Sequence, residues 1–479
     1  MALYREVAAR IQHQIEAGLF AHGERLPGVR KLSQTMGVSV STMVQAQRLL
    51  EDNGVIAARP RSGFYVCQPE VADRPLPAGG TSATEPVPVT TGEVTLFLGQ
   101  LSQQKDYTQL GFAIPHTDFL PMRALQKSLA AAVRQFDERA AGYTSPGGND
   151  ALKEQIARRM RFAGSVADTE DILITGGAQE ALTLALRSIA QPGDVIAIES
   201  PTYYGLLQAV ESLGMKAIEV ATDPVEGISL PALEMAARQW PVKACLLMPN
   251  FQNPLGAQMS DAHKADLIEL AERYDFMLIE DDIYGELSQT GQRPRSLHSF
   301  DTVSGSGAGR VMYYSSFSKT ISPGLRIGWL ISPPAWRLQL RHLKQILNLS
   351  SNSLAQLALT GYLQDGGYER HLRQVRLRYR EQIQRISQAV IRYFPEGTRI
   401  SQPGGGYVLW VELERGFDSL VLCQRLFELN ISIAPGQLFS ASQQYQNCLR
   451  LNCAQPWNAA LDQALFTVGR EAEKLRRAG

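Results

Sequence analysis

From about Val94 onward, short apolar runs alternate with amphipathic helical stretches. This alternation constrains the fold more than any other feature of the chain. Asp171-Ile-Leu-Ile-Thr175, Asp194-Val-Ile-Ala-Ile-Glu199, Ala244-Cys-Leu-Leu-Met248, Phe276-Met-Leu-Ile-Glu280 and Val311-Met-Tyr-Tyr314 predict buried strands. Alternating with helices, they predict a mostly parallel sheet covered on both faces. Open sheets of this kind bind ligands outside the carboxyl ends of their strands. The residues that follow each run are therefore the candidates for chemistry.

Lys319 lies just past the last of these runs, with Ser316, Ser318 and Arg326 around it. An amine, two hydroxyls and a guanidinium in one strand-end loop can hold a phosphorylated aldehyde, pyridoxal 5′-phosphate (PLP). The amine forms a Schiff base, and the hydroxyls and guanidinium fork bind the phosphate. Other strand ends supply matching parts. Gly176-Gly177-Ala178-Gln179 feeds a helix over 180–190 and presents backbone N–H groups to an anion. Tyr203 or Tyr204 can stack on a pyridine ring. Asn253, in Asn253-Pro-Leu-Gly256, can hydrogen-bond the ring hydroxyl. Asp281 can keep the ring nitrogen protonated, with Glu280 and Asp282 competing for the role, and Tyr284 follows. Each piece alone also has a commonplace reading, as a surface lysine, a turn glycine, a core tyrosine, an Asn-Pro turn or a solvated acidic loop.

The chain of 479 residues is long enough for two or three domains. Acidic and basic residues balance, so whole-chain charge points to no partner. The five cysteines form no Cys-x-x-Cys pair, which indicates neither a disulfide framework nor a metal site. No apolar stretch is long enough to span a bilayer and the N-terminus has no signal-peptide pattern, so a cytoplasmic protein is expected.

Residues 1–68 read as a separate module. Val7, Ile11 and Ile15 place a helix over 4–17; Pro27 opens a second through Met36; after the Gly37 turn, Ser39 caps a third over 40–53. Two strands, 55–58 and 63–67, flank the basic tip Arg59-Pro-Arg-Ser62. This is a winged helix-turn-helix, and its function would be binding double-stranded DNA. The third helix would meet DNA through Ser39, Ser41, Thr42 and Gln45, while Arg30, Lys31, Arg59 and Arg61 contact phosphates or the minor groove. A small protein-interaction module is the alternative. Residues 69–94 are rich in Pro, Gly, Ala, Ser and Thr and predict a semi-rigid linker. The remaining 95–479 form the third region, its large part about 150–345 and its small part drawn from both flanks.

Two resemblances follow. Glu24-Arg-Leu-Pro-Gly-Val-Arg-Lys-Leu-Ser33 and Ala58-Arg-Pro-Arg-Ser-Gly-Phe-Tyr-Val66 resemble the winged helix of the GntR family of bacterial regulators. Gly28 and Val40 depart from that family's usual Ser and Arg, and Val40 cannot hydrogen-bond a guanine edge. The ordered series of phosphate loop, stacking Tyr, Asn, Asp-x-x-Tyr, Ser-x-Ser-Lys and Arg resembles the fold type I aminotransferases. That resemblance implies an internal aldimine at Lys319, a ring-nitrogen partner in Asp281 and a stacking Tyr203. It implies that Asn253 and Tyr284 hold the ring oxygen, and that Gly177, Ala178, Gln179, Ser316, Ser318 and Arg326 bind the phosphate. Tyr143 resembles the tyrosine that reaches the phosphate of a partner subunit, and Arg450 the arginine that clamps a substrate carboxylate.

Together the two parts resemble the MocR-type transcriptional regulators. The resemblance implies a head-to-tail homodimer that binds an operator and senses PLP or an amino acid or amine reacting with it. A working aminotransferase with an accessory DNA module is the alternative, and a DNA-binding protein with a dimerisation platform the third reading.

Overall fold

The computed structural model describes residues 3–16, 19–20, 23–52, 55–59, 62–66, 75–90, 107–134, 142–301 and 309–478. The N-terminal module contains α1 (Leu3–Glu16), α2 (Val29–Met36) and α3 (Val40–Asp52). It also contains the antiparallel pair β1 (Ile56–Arg59) and β2 (Gly63–Val66). Val7, Ile11, Leu32, Met43, Leu50, Ile56 and Val66 close one small core. Gly37 ends α2 in the left-handed region, at φ 66°, a conformation that costs glycine nothing. Ser39 Oγ accepts the Thr42 N–H and caps α3. The second helix begins at Val29, later than expected, because Gly28 is extended (φ −57°, ψ 151°) and stands outside the helix as its N-cap.

The main sheet has nine strands: β3 (Val87–Pro88), β5 (Ile172–Thr175), β6 (Val195–Ser200), β7 (Lys216–Asp223), β8 (Gly227–Ile228), β9 (Val242–Leu247), β10 (Met277–Asp281), β11 (Val311–Ser316) and β12 (Gly328–Ile331). Here β4 is the short strand Thr108–Gln109, which belongs elsewhere. Strand order is β3-β7-β6-β9-β10-β11-β12-β5, with β8 paired to β7. Strands β7, β6, β9, β10 and β11 run parallel. Within the sheet β12 runs antiparallel to both neighbours. The inner strands are buried on both faces, as continuous apolar runs require.

This reversal positions the site. The chain turns directly from the end of β11 into the start of β12, so residues 317–327 stay at the carboxyl end of the sheet, beside the end of β5. Gly328 seals the junction: a Cβ there would stand 2.7 Å from Gly177 C and 2.8 Å from Ser315 O.

A smaller unit packs around its own core of Leu110, Ile386, Trp410, Phe439 and Leu465. Its sheet comprises β13 (Arg399–Ile400), β14 (Val408–Glu412), β16 (Ala434–Pro435) and β17 (Cys448–Asn452), while β15 (Ile431–Ser432) pairs with β4.

The proline-rich segment differs from the free spacer its composition suggests. Residues 75–90 lie along the outer edge of β7. Val87 and Pro88 pair with Ala217 and Lys216. Gly80 and Ala83 N–H groups donate to Thr222 O and Glu219 O, and Ser82 Oγ accepts from Ala221 N. These attachments use mainly backbone groups, which need no apolar side chains. Residues 67–74 and 91–94 lie outside the described residues.

Candidate cofactor site

A cavity of about 240 Å³ opens at the carboxyl end of the sheet. Ala178, Gln179, Tyr203, Asn253, Asp281, Tyr284, Ser318, Lys319 and Arg326 all line it, although they come from positions spread over 149 residues of sequence. Parallel strands deliver them, because each strand ends at the same edge.

One side is built for an anion. Gly177 precedes the helix Ala178–Ile189 with no side-chain cap, so the first N–H groups of that helix are left for a ligand. Gly177 has φ 102°, and a Cβ there would lie 2.4 Å from Arg326 Nη2, so glycine is needed twice over. Arg326 donates to Gly176 O (3.0 Å). The Glu180 carboxylate in the same turn is paired with Lys344 at 2.9 Å, which offsets its repulsion of an anion. Gln179 Nε2 is held by Gly205 O.

The opposite end carries the acid. Of the three successive carboxylates only Asp281 lines the cavity. Glu280 accepts the Leu297 and His298 N–H groups, and Asp282 pairs with Arg293 at 2.8 Å, so the acidic loop is buried and not solvated. Burial raises the Asp281 pKa to about 7, against the Tyr314 hydroxyl (2.8 Å) and the Ile283 N–H, which favour its charged form. Tyr314 was not singled out in the sequence. Its signal was available, since Asp281 and Tyr314 face each other in the register of β10 and β11.

Lys319 Nζ faces the same space and donates to Ala113 O at 2.7 Å. Burial, then the charges of Arg450 and Arg326, lower its pKa to about 8 against the attraction of Asp281. Arg450 is fully buried beneath Phe439 (5.0 Å) and donates to Asn253 Oδ1 (3.1 Å) and Gly111 O. Its Nε has no partner, and no carboxylate pairs with it among the described residues. With Oδ1 of Asn253 facing a guanidinium, the amide NH₂ is left to donate elsewhere. The Tyr284 hydroxyl is buried without a hydrogen bond of good geometry, since the neighbouring Tyr407 hydroxyl is turned to Ala113 O. Tyr203 and Tyr204 both line the cavity, their rings 4.7 Å apart. Phe112, Ala113 and Ile114 also line the cavity, and nothing in their sequence marks them.

Four expected residues do not line the cavity: Gly177 and Arg450, which lie against its lining residues Arg326 and Asn253, and Ser316 and Tyr143. The Ser316 hydroxyl donates to Ile327 O and accepts from the Ser318 N–H, so it braces the loop that carries Lys319. Tyr143 lies on the surface, 84% exposed.

In the N-terminal module Arg30, Lys31, Ser41 and Gln45 are exposed and Thr42 is half-buried. The Ser39 hydroxyl is occupied by Ser41 Oγ and Thr42 Oγ1, each at 2.8 Å, besides its cap. The Arg59 side chain and Arg61 lie outside the described residues.

The bacterial regulatory protein model of the gntR family matches residues 3–66, and the aminotransferase class I and II model matches residues 109–467. The chain is 39% identical over 469 residues to the uncharacterized HTH-type transcriptional regulator YjiR of Escherichia coli (strain K12), covering 98% of each chain. It belongs to the MocR-type regulators of the GntR family. A second relative is the HTH-type regulator YdcR of the same organism, 37% identical and covering 98% of this chain and 99% of its own. Among solved structures, LysN, the alpha-aminoadipate aminotransferase of Thermus thermophilus, superimposes with a TM-score of 0.74. The two are 29% identical, with 80% of this chain and 95% of that chain covered, and LysN was solved with N-(5′-phosphopyridoxyl)-L-leucine.

This MocR-type regulator is thus a GntR-type DNA-binding regulator fused to an aminotransferase-like domain of fold type I, whose cofactor is PLP. The residues present fit that cofactor. The uncapped helix and Arg326 could take its phosphate, and the orphaned Tyr284 hydroxyl and free Asn253 NH₂ its ring oxygen. Among the described residues no ion pair reaches Asp281, whose hydrogen-bond partners are Tyr314 and the Ile283 N–H, and a protonated ring nitrogen would supply one. When bound, the cofactor supplies an electron sink. Among the described residues no helix is long and apolar enough to cross a membrane, and no cluster of metal ligands occurs.

Proposed function

We propose that the protein is a cytoplasmic transcriptional regulator that holds PLP covalently on Lys319. In this reading it senses PLP, or an amino acid or amine that reacts with it, and passes the signal to the winged helix. The observation that carries this reading is the convergence of Lys319, Asp281, Tyr284 and Arg326 on one cavity beside the uncapped Gly177 turn. Asp281 pairs with the ring nitrogen, Tyr203 stacks on the ring, Asn253 and Tyr284 hold the ring oxygen, and Ala178, Gln179, Ser318 and Arg326 take the phosphate.

The lowered Lys319 pKa gives the reading a pH dependence. Only the neutral amine attacks an aldehyde. The rate at which apoprotein takes up PLP covalently therefore rises about tenfold per unit below pH 8 and levels off above it. A flat stopped-flow profile between pH 6.5 and 9 would contradict it.

A head-to-tail homodimer is the working form. Leu338 (82% exposed) and Ile346 (66% exposed) on the helix Arg337–Asn348 support an apolar interface, and exposed Tyr143 supports a contribution to the partner's phosphate site. For DNA, α3 enters the major groove with Ser41, Thr42 and Gln45 at base edges. Exposed Val40 suits a thymine methyl rather than a guanine. Arg59→Ala and Arg61→Ala should each lower the salt slope of DNA binding by about one unit per lost phosphate contact; unchanged slopes would remove the wing from the interface.

Arg450 favours a second reading, a working aminotransferase. A buried guanidinium without a carboxylate partner is suited to an amino-acid carboxylate. Titrating amino acids and amines into the PLP-saturated protein, with absorption spectra and product analysis, decides between them. Repeated release of a 2-oxo acid means an enzyme; a spectral shift without turnover means a sensor and names its ligand.

A further inference from the structure

We propose that Tyr445 is a positioning residue that ties the cofactor cavity to the segment leading to the winged helix. The inference rests on the reading that the cavity holds PLP, and it adds the route by which occupancy reaches residues 75–90.

Four groups form one directed chain of hydrogen bonds. The Thr81 N–H donates to the Tyr445 hydroxyl (3.3 Å), which shares a 2.7 Å hydrogen bond with Ser200 Oγ. Ser200 Oγ in turn donates to the buried Glu219 carboxylate at 3.2 Å. Ser200 therefore spends its proton on Glu219, and Tyr445 is the donor between them. Thr81 belongs to the segment along β7. Ser200 ends β6, three residues before Tyr203 at the cavity wall.

A second, indirect route leads from Tyr445 to Asn253 at the cavity wall. The Tyr445 ring packs edge-on against Trp410 (6.1 Å), which faces Arg450 across β14 and β17. Trp410 packs on Phe439 (5.2 Å), the ring over the Arg450 guanidinium, and Phe439 O accepts the Thr202 N–H. Tyr445 itself sits at φ 60°, a conformation unfavourable for a bulky residue and one its surroundings must impose.

The contact with the segment is close. A Cβ on Gly80 would lie 1.7 Å from Ser200 O and 2.8 Å from Thr222 N, so only glycine lets the chain pass at this height. A shift of the Ser200–Tyr203 stretch must move either Gly80 or the edge of β7. A ligand that restrains Tyr203 and Arg450 thus binds unequally to arrangements with the segment seated and lifted, which is what coupling requires.

Hydrogen–deuterium exchange of the full-length protein, with PLP as probe, tests this. In the wild type, saturating PLP slows exchange of the 79–84 amides at least fivefold. Tyr445→Phe keeps the ring and loses only the hydroxyl; it binds PLP with an unchanged visible band and a Kd within twofold of wild type, yet the same amides slow by less than twofold. Gly80→Ala, which cannot seat the segment, exchanges fast with or without PLP while retaining its PLP band. Equal protection in wild type and Tyr445→Phe overturns the proposal, as does a PLP-saturated wild type whose amides do not change. Failure of the wild type to form any PLP band instead overturns the cofactor reading and the proposal with it.

Discussion

Lys319→Ala abolishes covalent attachment of PLP and leaves the protein folded. The Lys319 amine makes one hydrogen bond, to Ala113 O, and burial disfavours its charge; removing it costs Asp281 a favourable charge, but the Tyr314 hydroxyl and the Ile283 N–H still hold that carboxylate. Other buried lysines cannot replace it: Lys344 is bound to Glu180 and Ser351, Lys264 to Asn250 and Arg295 O, and Lys153 to Asp150. The helix N-terminus and Arg326 still take the phosphate, so weak reversible binding survives, on the order of a hundredfold (~2.7 kcal/mol) poorer. Borohydride reduction followed by peptide mapping checks it. An adduct trapped in the wild type at a lysine other than Lys319 would refute the assignment.

Asp281→Asn has opposite effects on the apoprotein and on PLP binding. Burial raises the Asp281 pKa from the ordinary carboxylate value near 4 to about 7. An acid whose folded pKa lies above its unfolded pKa binds more protons folded than unfolded between the two. The apoprotein therefore loses stability as pH rises from about 4 to 7 and loses no more above that. Asparagine does not ionise, so apo Asp281→Asn gains on the order of 2 kcal/mol over wild type at pH 8 and nothing of this kind at pH 4. In the proposed PLP-bound form a protonated ring nitrogen would compensate the carboxylate. The variant then binds PLP at least tenfold more weakly. Thermal unfolding of both forms at pH 5 and 8 reads the two effects; a variant less stable than wild type as apoprotein at pH 8 would rule out an uncompensated Asp281 charge.

The sequence made much of the cofactor cavity legible because parallel strands bring their carboxyl ends to one edge, whatever the separation in the chain. Lys319 stands out from the run that precedes it, whereas Asp281 is one of three competing acids until the aminotransferase resemblance points to it. Ser316 shows where that reasoning stops: a hydroxyl two residues from Ser318 looks equivalent in sequence, but Ile327 O sits behind it. The antiparallel β12 was not foreseen, since Gly328-Trp-Leu-Ile331 carries the same buried pattern as a parallel strand. Residues 69–94 read as a linker because they carry few large apolar side chains. Within 75–90, Val89 joins the large core with Val87 packed against it, and most of the rest is held by backbone groups that composition does not report.

That attachment changes where the molecule can be cut. A chimaera or truncation that begins the aminotransferase-like part after residue 94 strips away β3 and uncovers the outer rim of β7, including the Glu219 and Thr222 carbonyls now paired with Ala83 and Gly80. A bare sheet rim is a template for pairing with another molecule, and such a product aggregates through it. A junction before Pro75 keeps the rim covered and lets a foreign DNA-binding head be grafted without disturbing the protein it reports on.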